Sequence, residues 1–254
     1  MSGPPTPMVP LPDDEFAGDT YGSSFADVYD EWYADASDAE ATARFLDDFG
    51  SEQKVVELGV GTGRLSTPVA RSGHRVVGFD ISAAMLERLS STPGVTAVRG
   101  DMAVLAVASG AVDTVLVATN TFFNLTTKGA QEQCLTEARR VLRIGGRLIV
   151  EAFVPDDPHP GRDRLVTTRS IDLDRVVLTA TIRSPDDQTI TGQHIEISES
   201  GIRLRPWKVR FAAPEELDAM ATAAGFRLGD RWEDWERSPF TDQSSRAVTV
   251  YVAV

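Results

Sequence analysis

One carboxylate and three glycines at alternate positions, Glu57, Gly59, Gly61 and Gly63 in "VVELGVGTGRL", form the stretch of this chain best equipped to hold a ligand. A glycine turn between an apolar run and a helix brings bare backbone and a helix N-terminus up to a bound molecule. The dinucleotide fingerprint G-x-G-x-x-G requires a third glycine at position 64, and this chain has Arg64 there. Two further acids end apolar runs downstream: Asp80 in "GFDIS", 21 residues after Gly59, and Asp101 in "RGDM". An acid at the first of those stations can take both hydroxyls of a ribose. Glu57, Asp80 and Asp101 together make a poor setting for a diphosphate, which gains from basic side chains and a helix dipole.

Short apolar runs alternating with helical patterns supply the frame for these residues. Positions 54–59, 74–80, 94–101, 111–120 and 147–153 read as strands, and 63–73, 82–91 and 128–146 as helices, with Ser82 a cap. Strands apolar at both parities must be covered on both faces, which predicts an α/β, doubly wound parallel sheet over residues 37–154. Ahead of it, 25–33 and 37–50 carry apolar residues at helical spacing. The second opens on Ser37, with Glu40 three residues on, and closes on Gly50. Residues 1–36 are expected to form an arm and a lid helix. Segments 170–182, 188–198 and 201–211 alternate at period two between turn-rich "SPDD" and "SESG". They predict a small antiparallel sheet inserted as residues 155–212, either a substrate cap or a dimer interface. In the final segment, 213–254, a helix opens on Pro214 and stops before Gly225, and two strands complete the main sheet.

Composition narrows the function. The 254 residues carry a formal charge of −13, which repels phosphate backbones and disfavours a nucleic-acid partner. No apolar stretch reaches membrane-spanning length, and the proline-rich, acidic N-terminus lacks the pattern of a signal peptide, so a cytoplasmic protein is expected. A single cysteine, Cys134, supplies neither a disulfide framework nor a thiolate zinc cluster and is expected to be a small buried apolar residue. His74, His159 and His194 have no ligand spacing, so no metal is expected.

The motif Glu57-x-Gly59-x-Gly61-x-Gly63 resembles the first motif of the class I S-adenosylmethionine-dependent methyltransferases. The later stations follow in family order over about residues 50–154. The resemblance implies a Rossmann-like seven-stranded sheet and S-adenosylmethionine as cofactor, with S-adenosylhomocysteine as its product. It gives Asp80 the ribose, places Ile81 against the adenine, and makes Asp101 accept from the adenine amino group. Met102 offers its backbone amide and an apolar face. Thr119, in "VLVATN", lies where the fourth strand approaches the methionine part. A ligand with a sulfonium, an amine and ribose hydroxyls, but no phosphate, suits the acidic setting.

The acceptor is expected to be a small molecule, methylated on nitrogen or oxygen. "TNTFFNL" after the fourth strand lacks the proline motif of DNA amino methyltransferases. The order of lid helix, core, insertion and terminal helix resembles small-molecule enzymes of bacterial natural-product pathways, including amino-sugar N-methyltransferases. Candidates around the acceptor are Tyr21, Asn120, Phe123, Glu151 and His194. His159, Tyr29 and Tyr33 are the candidates for catalysis, His159 because its loop follows the fifth strand. Tyr29 and Tyr33 share a helical face that also fits packing. Alternation puts Arg203, Arg205 and Trp207 on one face of the last insertion strand, expected to be solvated and paired with the acidic "HIEISES" strand. "DRWEDWE" reads as surface anchored by two tryptophans. Two other functions stay open: a relative that binds S-adenosylmethionine for cyclisation or rearrangement, and, more remotely, an NAD(P)-dependent oxidoreductase. A homodimer is compatible with the insertion.

Overall fold

A computed structural model describes residues 18–33, 38–156 and 163–254; Ser37 and His159 lie outside them. Three helices precede the main sheet: α1 (Thr20–Phe25), α2 (Tyr29–Trp32) and α3 (Asp38–Asp47). The single helix expected over 25–33 is two short ones with a break at residues 26–28. The core then runs β1 (Lys54–Leu58), α4 (Ser66–Arg71), β2 (Arg75–Asp80), α5 (Ala83–Leu86), β3 (Val95–Arg99), β4 (Val112–Val117), α6 (Ala130–Val141) and β5 (Leu142–Phe153). Four strands follow, β6 (Arg164–Ile171), β7 (Arg175–Ser184), β8 (Thr189–Ser198) and β9 (Gly201–Arg210), then α7 (Pro214–Ala223), β10 (Phe226–Trp232) and β11 (Arg246–Ala253).

The main sheet is seven-stranded in the order β10-β11-β5-β4-β1-β2-β3. β3, β2, β1, β4 and β5 run parallel, and β11 is antiparallel to both of its neighbours, β5 and β10. The chain order reverses between β1 and β4, so the crevice at their carboxyl ends is the natural ligand site of an open α/β sheet. Val55, Val56, Leu58 and Val115 to Val117 are fully buried, as strands covered on both faces must be. Cys134 of α6 is buried in the same core, where desolvation pushes its thiol up to about 12. On the other face Phe45 packs edge-on against Trp232 and Trp235, the two anchors expected of "DRWEDWE".

Two boundaries differ from expectation. Helix α6 ends at Val141 and β5 begins at Leu142, five residues before the expected strand, so "LRIGG" enters the sheet. Its periodicity is too short to distinguish a helix end from a strand start. The segment 170–182 is also not one strand: a turn at 172–174 divides β6 from β7. The second sheet is therefore four-stranded and antiparallel, in the order β6-β7-β8-β9.

Register assigns its two faces. Thr179, His194 and Arg205 lie in one cross-strand row, and Thr181, Gly192 and Trp207 in the next. Trp207 borders the core and α1 contacts β9, so this face looks inward. The solvated arginine face expected here is half right. Arg205 does pair with Glu196 of the acidic strand, but it is buried at 1% exposure. Period-two alternation identifies a face without saying which side of the sheet another element covers.

Candidate active site

The site is built where β1 and β2 end. The amides of Gly59 and Val60 both donate to the Phe79 carbonyl, at 2.7 and 2.9 Å, which pins the glycine turn to β2. Gly59 has φ +74, and a Cβ there would lie 2.3 Å from the Thr121 methyl. Only bare backbone satisfies both the conformation and the approach of the β4 loop. Asp80 ties the next turn down. One carboxylate oxygen accepts from the Gly61 amide at 2.9 Å and the other from the Ser82 amide at 2.8 Å. Burial raises its pKa against those backbone bonds. The Ser82 hydroxyl caps α5 by accepting from the Met85 amide, as its position suggested.

A cavity of about 400 Å³ opens over these ends. Gly59, Gly61, Asp80, Ile81, Asp101 and Met102 line it, six of the nine residues expected at the cofactor. Tyr21 and Tyr29 close it from the N-terminal side. Gly63, Glu57 and Thr119 are not on the wall. Glu57 lies beneath the turn, almost inaccessible, and accepts from the Ser66 hydroxyl. Burial pushes its carboxyl up to about 7, with Ser66 and Arg64 opposing that rise and Asp80 adding to it.

The α1–α2 region forms the roof. Gly22 sits so close to Ser82 that an added Cβ would be 2.3 Å from the serine Cβ. The Thr62 hydroxyl donates to Asp30 at 2.7 Å. From the other side Arg205 donates to both Asp27 oxygens, at 2.6 and 3.1 Å, and to the Ser24 carbonyl at 2.5 Å. The roof is thus clamped between the glycine turn and the second sheet. The Tyr29 and Tyr33 rings lie tilted against one another with centroids 4.7 Å apart, and the Tyr21 and Tyr33 hydroxyls are 3.4 Å apart. Burial drives the Tyr21 hydroxyl far up and that of Tyr29 to about 12, the Arg64 guanidinium beside Tyr29 opposing the rise.

The residues proposed for the acceptor scatter more widely. Asn120 accepts the Phe153 amide at 2.6 Å, and Glu151 accepts the Thr119 amide, so both knit the β4 and β5 ends together. Burial raises the Glu151 pKa. Phe123 is buried in the main core. His194 accepts or donates at the Thr179 hydroxyl, 2.8 Å away, inside a box of Phe25, Trp32 and Trp207. Burial, with Arg169 and Arg205 adding, lowers its pKa to about 4. None of these four, nor Tyr33, lines the cavity. The wall instead contains Thr121, the run Asn124 to Thr127, Trp207 and Lys208. Thr121 and Asn124 bound a short 3-10 turn after β4 and the rest of the run follows it without periodicity, so only its place after the strand could have suggested it. Among the described residues no group of three His, Cys, Asp or Glu could hold a metal ion.

Residues 55–146 match the family described as a methyltransferase domain. The structure of the CcbJ methyltransferase from Streptomyces caelestis is 36% identical, with a TM-score of 0.87 over 94% of this chain and 100% of that one. The chain belongs to the S-adenosylmethionine-dependent methyltransferases. A cypemycin N-terminal methyltransferase from Streptomyces is 27% identical over 77% of this chain and 81% of its own length. A demethylmenaquinone methyltransferase from Thermobifida fusca is 35% identical over 45% of this chain, which spans about half, 49%, of that relative. The cavity fits the family's cofactor. Its floor is a glycine turn that tolerates no side chain at Gly59, two carboxylates border it, and Lys208 is the one basic side chain on the described wall. That set suits ribose and a cationic sulfur and offers no cluster for a diphosphate. No helix among the described residues is long and apolar enough to cross a membrane.

Proposed function

We propose that this methyltransferase transfers a methyl group to the nitrogen of a small molecule, in a bacterial natural-product pathway and in the cytoplasm. When bound, S-adenosylmethionine supplies a methyl group activated by its sulfonium, open to in-line attack. Asp80 would hold the ribose hydroxyls, with Ile81 and Met102 against the adenine and Asp101 at its amino group. Gly59 and Gly61 would let the backbone approach the rest of the cofactor. The roof of Tyr21, Gly22 and Tyr29 would exclude water and align the acceptor, which is most of what an already activated methyl needs.

The observation that favours nitrogen is the state of the two roof tyrosines. A phenol is protonated at neutral pH and burial raises both further, so neither serves as the base that a hydroxyl acceptor needs. An amine arriving neutral attacks through its lone pair and sheds its proton to water afterwards. The cypemycin relative, named for transfer to an N-terminus, supports the same reading. The four-stranded sheet would cap the acceptor with Trp207. Its outer face, with Ile202 at 70% and Leu204 at 56% exposure, would pair two copies in a homodimer, read by light scattering.

Calorimetric titration of the full chain with S-adenosylhomocysteine and with NADH tests the cofactor: binding of NADH alone overturns the proposal. Matched amino and hydroxy sugars then test the acceptor. Turnover of the amine, with S-adenosylhomocysteine appearing in step, is expected. Turnover of the hydroxyl partner alone would move the reading to oxygen. Acceptor consumption without S-adenosylhomocysteine would favour cyclisation or rearrangement.

A further inference from the structure

Trp207 brings an indole from the second sheet to the cavity wall. Its orientation is set by a missing side chain across the register in β8. A Cβ on Gly192 would fall 2.0 Å from Cε2, 2.1 Å from Cζ2 and 2.6 Å from Nε1 of that indole. The three distances put the point above the ring plane rather than beyond its edge, so the ring lies flat over the β8 backbone. Only glycine leaves room for it there. One face of the indole is thereby turned to the sheet and the other away from it, toward Tyr21 and Phe25 of the roof. The Nε1 donor is inaccessible and has no partner among the described residues, so what the indole offers the cavity is its π face rather than its N–H.

His194, one row along in β8, lies beside the same indole, with ring centroids 5.9 Å apart and planes inclined by 34°. The Thr179 hydroxyl holds its Nδ1 at 2.8 Å, and Phe25 and Trp32 meet the imidazole edge-on. A protonated imidazole here would set a positive charge against Trp207. Burial, with Arg169 and Arg205 adding, lowers its pKa to about 4, so at neutral pH the neighbour is uncharged. The cap already seats cations on an indole: the Arg169 and Arg205 guanidiniums lie over Trp32 at 4.8 and 5.5 Å. Lys208, also on the wall, follows Trp207 at opposite parity and does not share its face of the sheet.

We propose that the face of Trp207 turned from the sheet seats the acceptor amine and stabilises the positive charge that methylation places on its nitrogen. As the nitrogen lone pair forms the new N–C bond, the C–S bond breaks and its electron pair stays on sulfur. The charge therefore passes from sulfur to nitrogen, and remains until a proton leaves for water. An indole face attracts an ammonium more than a neutral amine, so the contact strengthens as transfer proceeds. Gly192 and His194 act through the indole, as positioning residues. The assignment rests on the cofactor and nitrogen readings above.

Choline and 3,3-dimethylbutan-1-ol share a shape and differ in charge, so their ratio of affinities reads that face directly. Calorimetry on the full chain saturated with S-adenosylhomocysteine should give about tenfold tighter binding of choline. In Trp207→Leu the two should bind within about twofold of one another, with S-adenosylhomocysteine affinity within about threefold of wild type. Equal binding of the two by wild type, binding of neither, or a ratio retained in Trp207→Leu overturns the assignment. Should Trp207→Leu lack a cooperative melt, Trp207→Phe decides: its weaker π face should narrow the ratio to about threefold, and an unchanged ratio overturns the proposal. A wild-type chain that does not bind S-adenosylhomocysteine refutes the cofactor reading instead, and turnover of a hydroxy sugar alone refutes the nitrogen reading.

Discussion

The two sheets balance their buried titratable groups in different ways. At the main sheet carboxylates stand toward the strand ends, Glu57 and Glu151 buried and Asp80 half-buried, each raised by desolvation and held chiefly by hydroxyls and backbone amides, with the Arg64 guanidinium among them. On the inner face of the second sheet the buried groups are Arg205 and His194. The arginine is compensated by Asp27 and Glu196; the histidine is kept neutral. An electron-rich floor therefore faces a cap whose cation is locked to the roof. A cationic sulfur belongs at the floor, and the cap's charge is spent on holding α1 and the residues that follow it. On the function proposed above, the first sheet serves the cofactor and the second serves closure and the acceptor.

The largest test of that division is Arg205→Met. Removing it leaves Asp27 and Glu196 without their shared partner and releases the Ser24 carbonyl. Because both acids are partly exposed, a loss of about 3 kcal/mol is expected, the low end for breaking a buried pair, read as a lowered denaturation midpoint. S-adenosylhomocysteine affinity should fall as well, since α1 carries Tyr21 and Gly22 of the cavity wall. A variant as stable as wild type would mean that the clamp does not hold the roof.

Two glycine substitutions separate the sheets more finely. In Gly59→Ala the new methyl meets Thr121 and the positive φ, so S-adenosylhomocysteine binding should weaken at least about tenfold, equivalent to roughly 1.4 kcal/mol. In Gly192→Ala a Cβ would lie 2.0 Å from the Trp207 ring and must displace it. Cofactor affinity should stay within about twofold of wild type while acceptor turnover drops. Equal loss of cofactor binding in both variants would erase the distinction between floor and cap.

Legibility in the sequence followed the same boundary. The floor could be read because each of its parts is local: Gly59 and Gly61 must sit after a strand, and Asp80 and Asp101 must end the next two. The cap could be read as a sheet from its alternation, but its inner face could not, because Arg205 is buried by Asp27, 178 positions away in the chain. Asn120, Phe123 and Glu151 do lie near the ends of β4 and β5. Strand position does not tell a wall residue from one that braces the wall, and Asn120 and Glu151 brace it. Trp207 reads in the sequence as part of an arginine-rich strand; its place at the cavity depends on Gly192, across the register in β8.

The smallest effect is the most discriminating, because the two sheets should respond to pH with opposite sign. Glu57 has its folded pKa raised to about 7 from 4.5, so its contribution is fully present below about 4.5 and is lost as pH rises through 7. His194 has its folded pKa lowered to about 4 from 6.5; the unfolded chain binds the extra proton between those values, so stability falls as pH drops from 6.5 toward 4. Between about 4.5 and 6.5 the two oppose one another in wild type. Glu57→Gln should leave a melting temperature that climbs with pH across that window. His194→Gln should leave one that declines, each by about 3 °C relative to wild type, or roughly 1 kcal/mol. The double variant should restore the wild-type slope. If both single variants tilt the same way, the buried acid and the buried base do not occupy opposite electrostatic settings, and the contrast between floor and cap fails at its source.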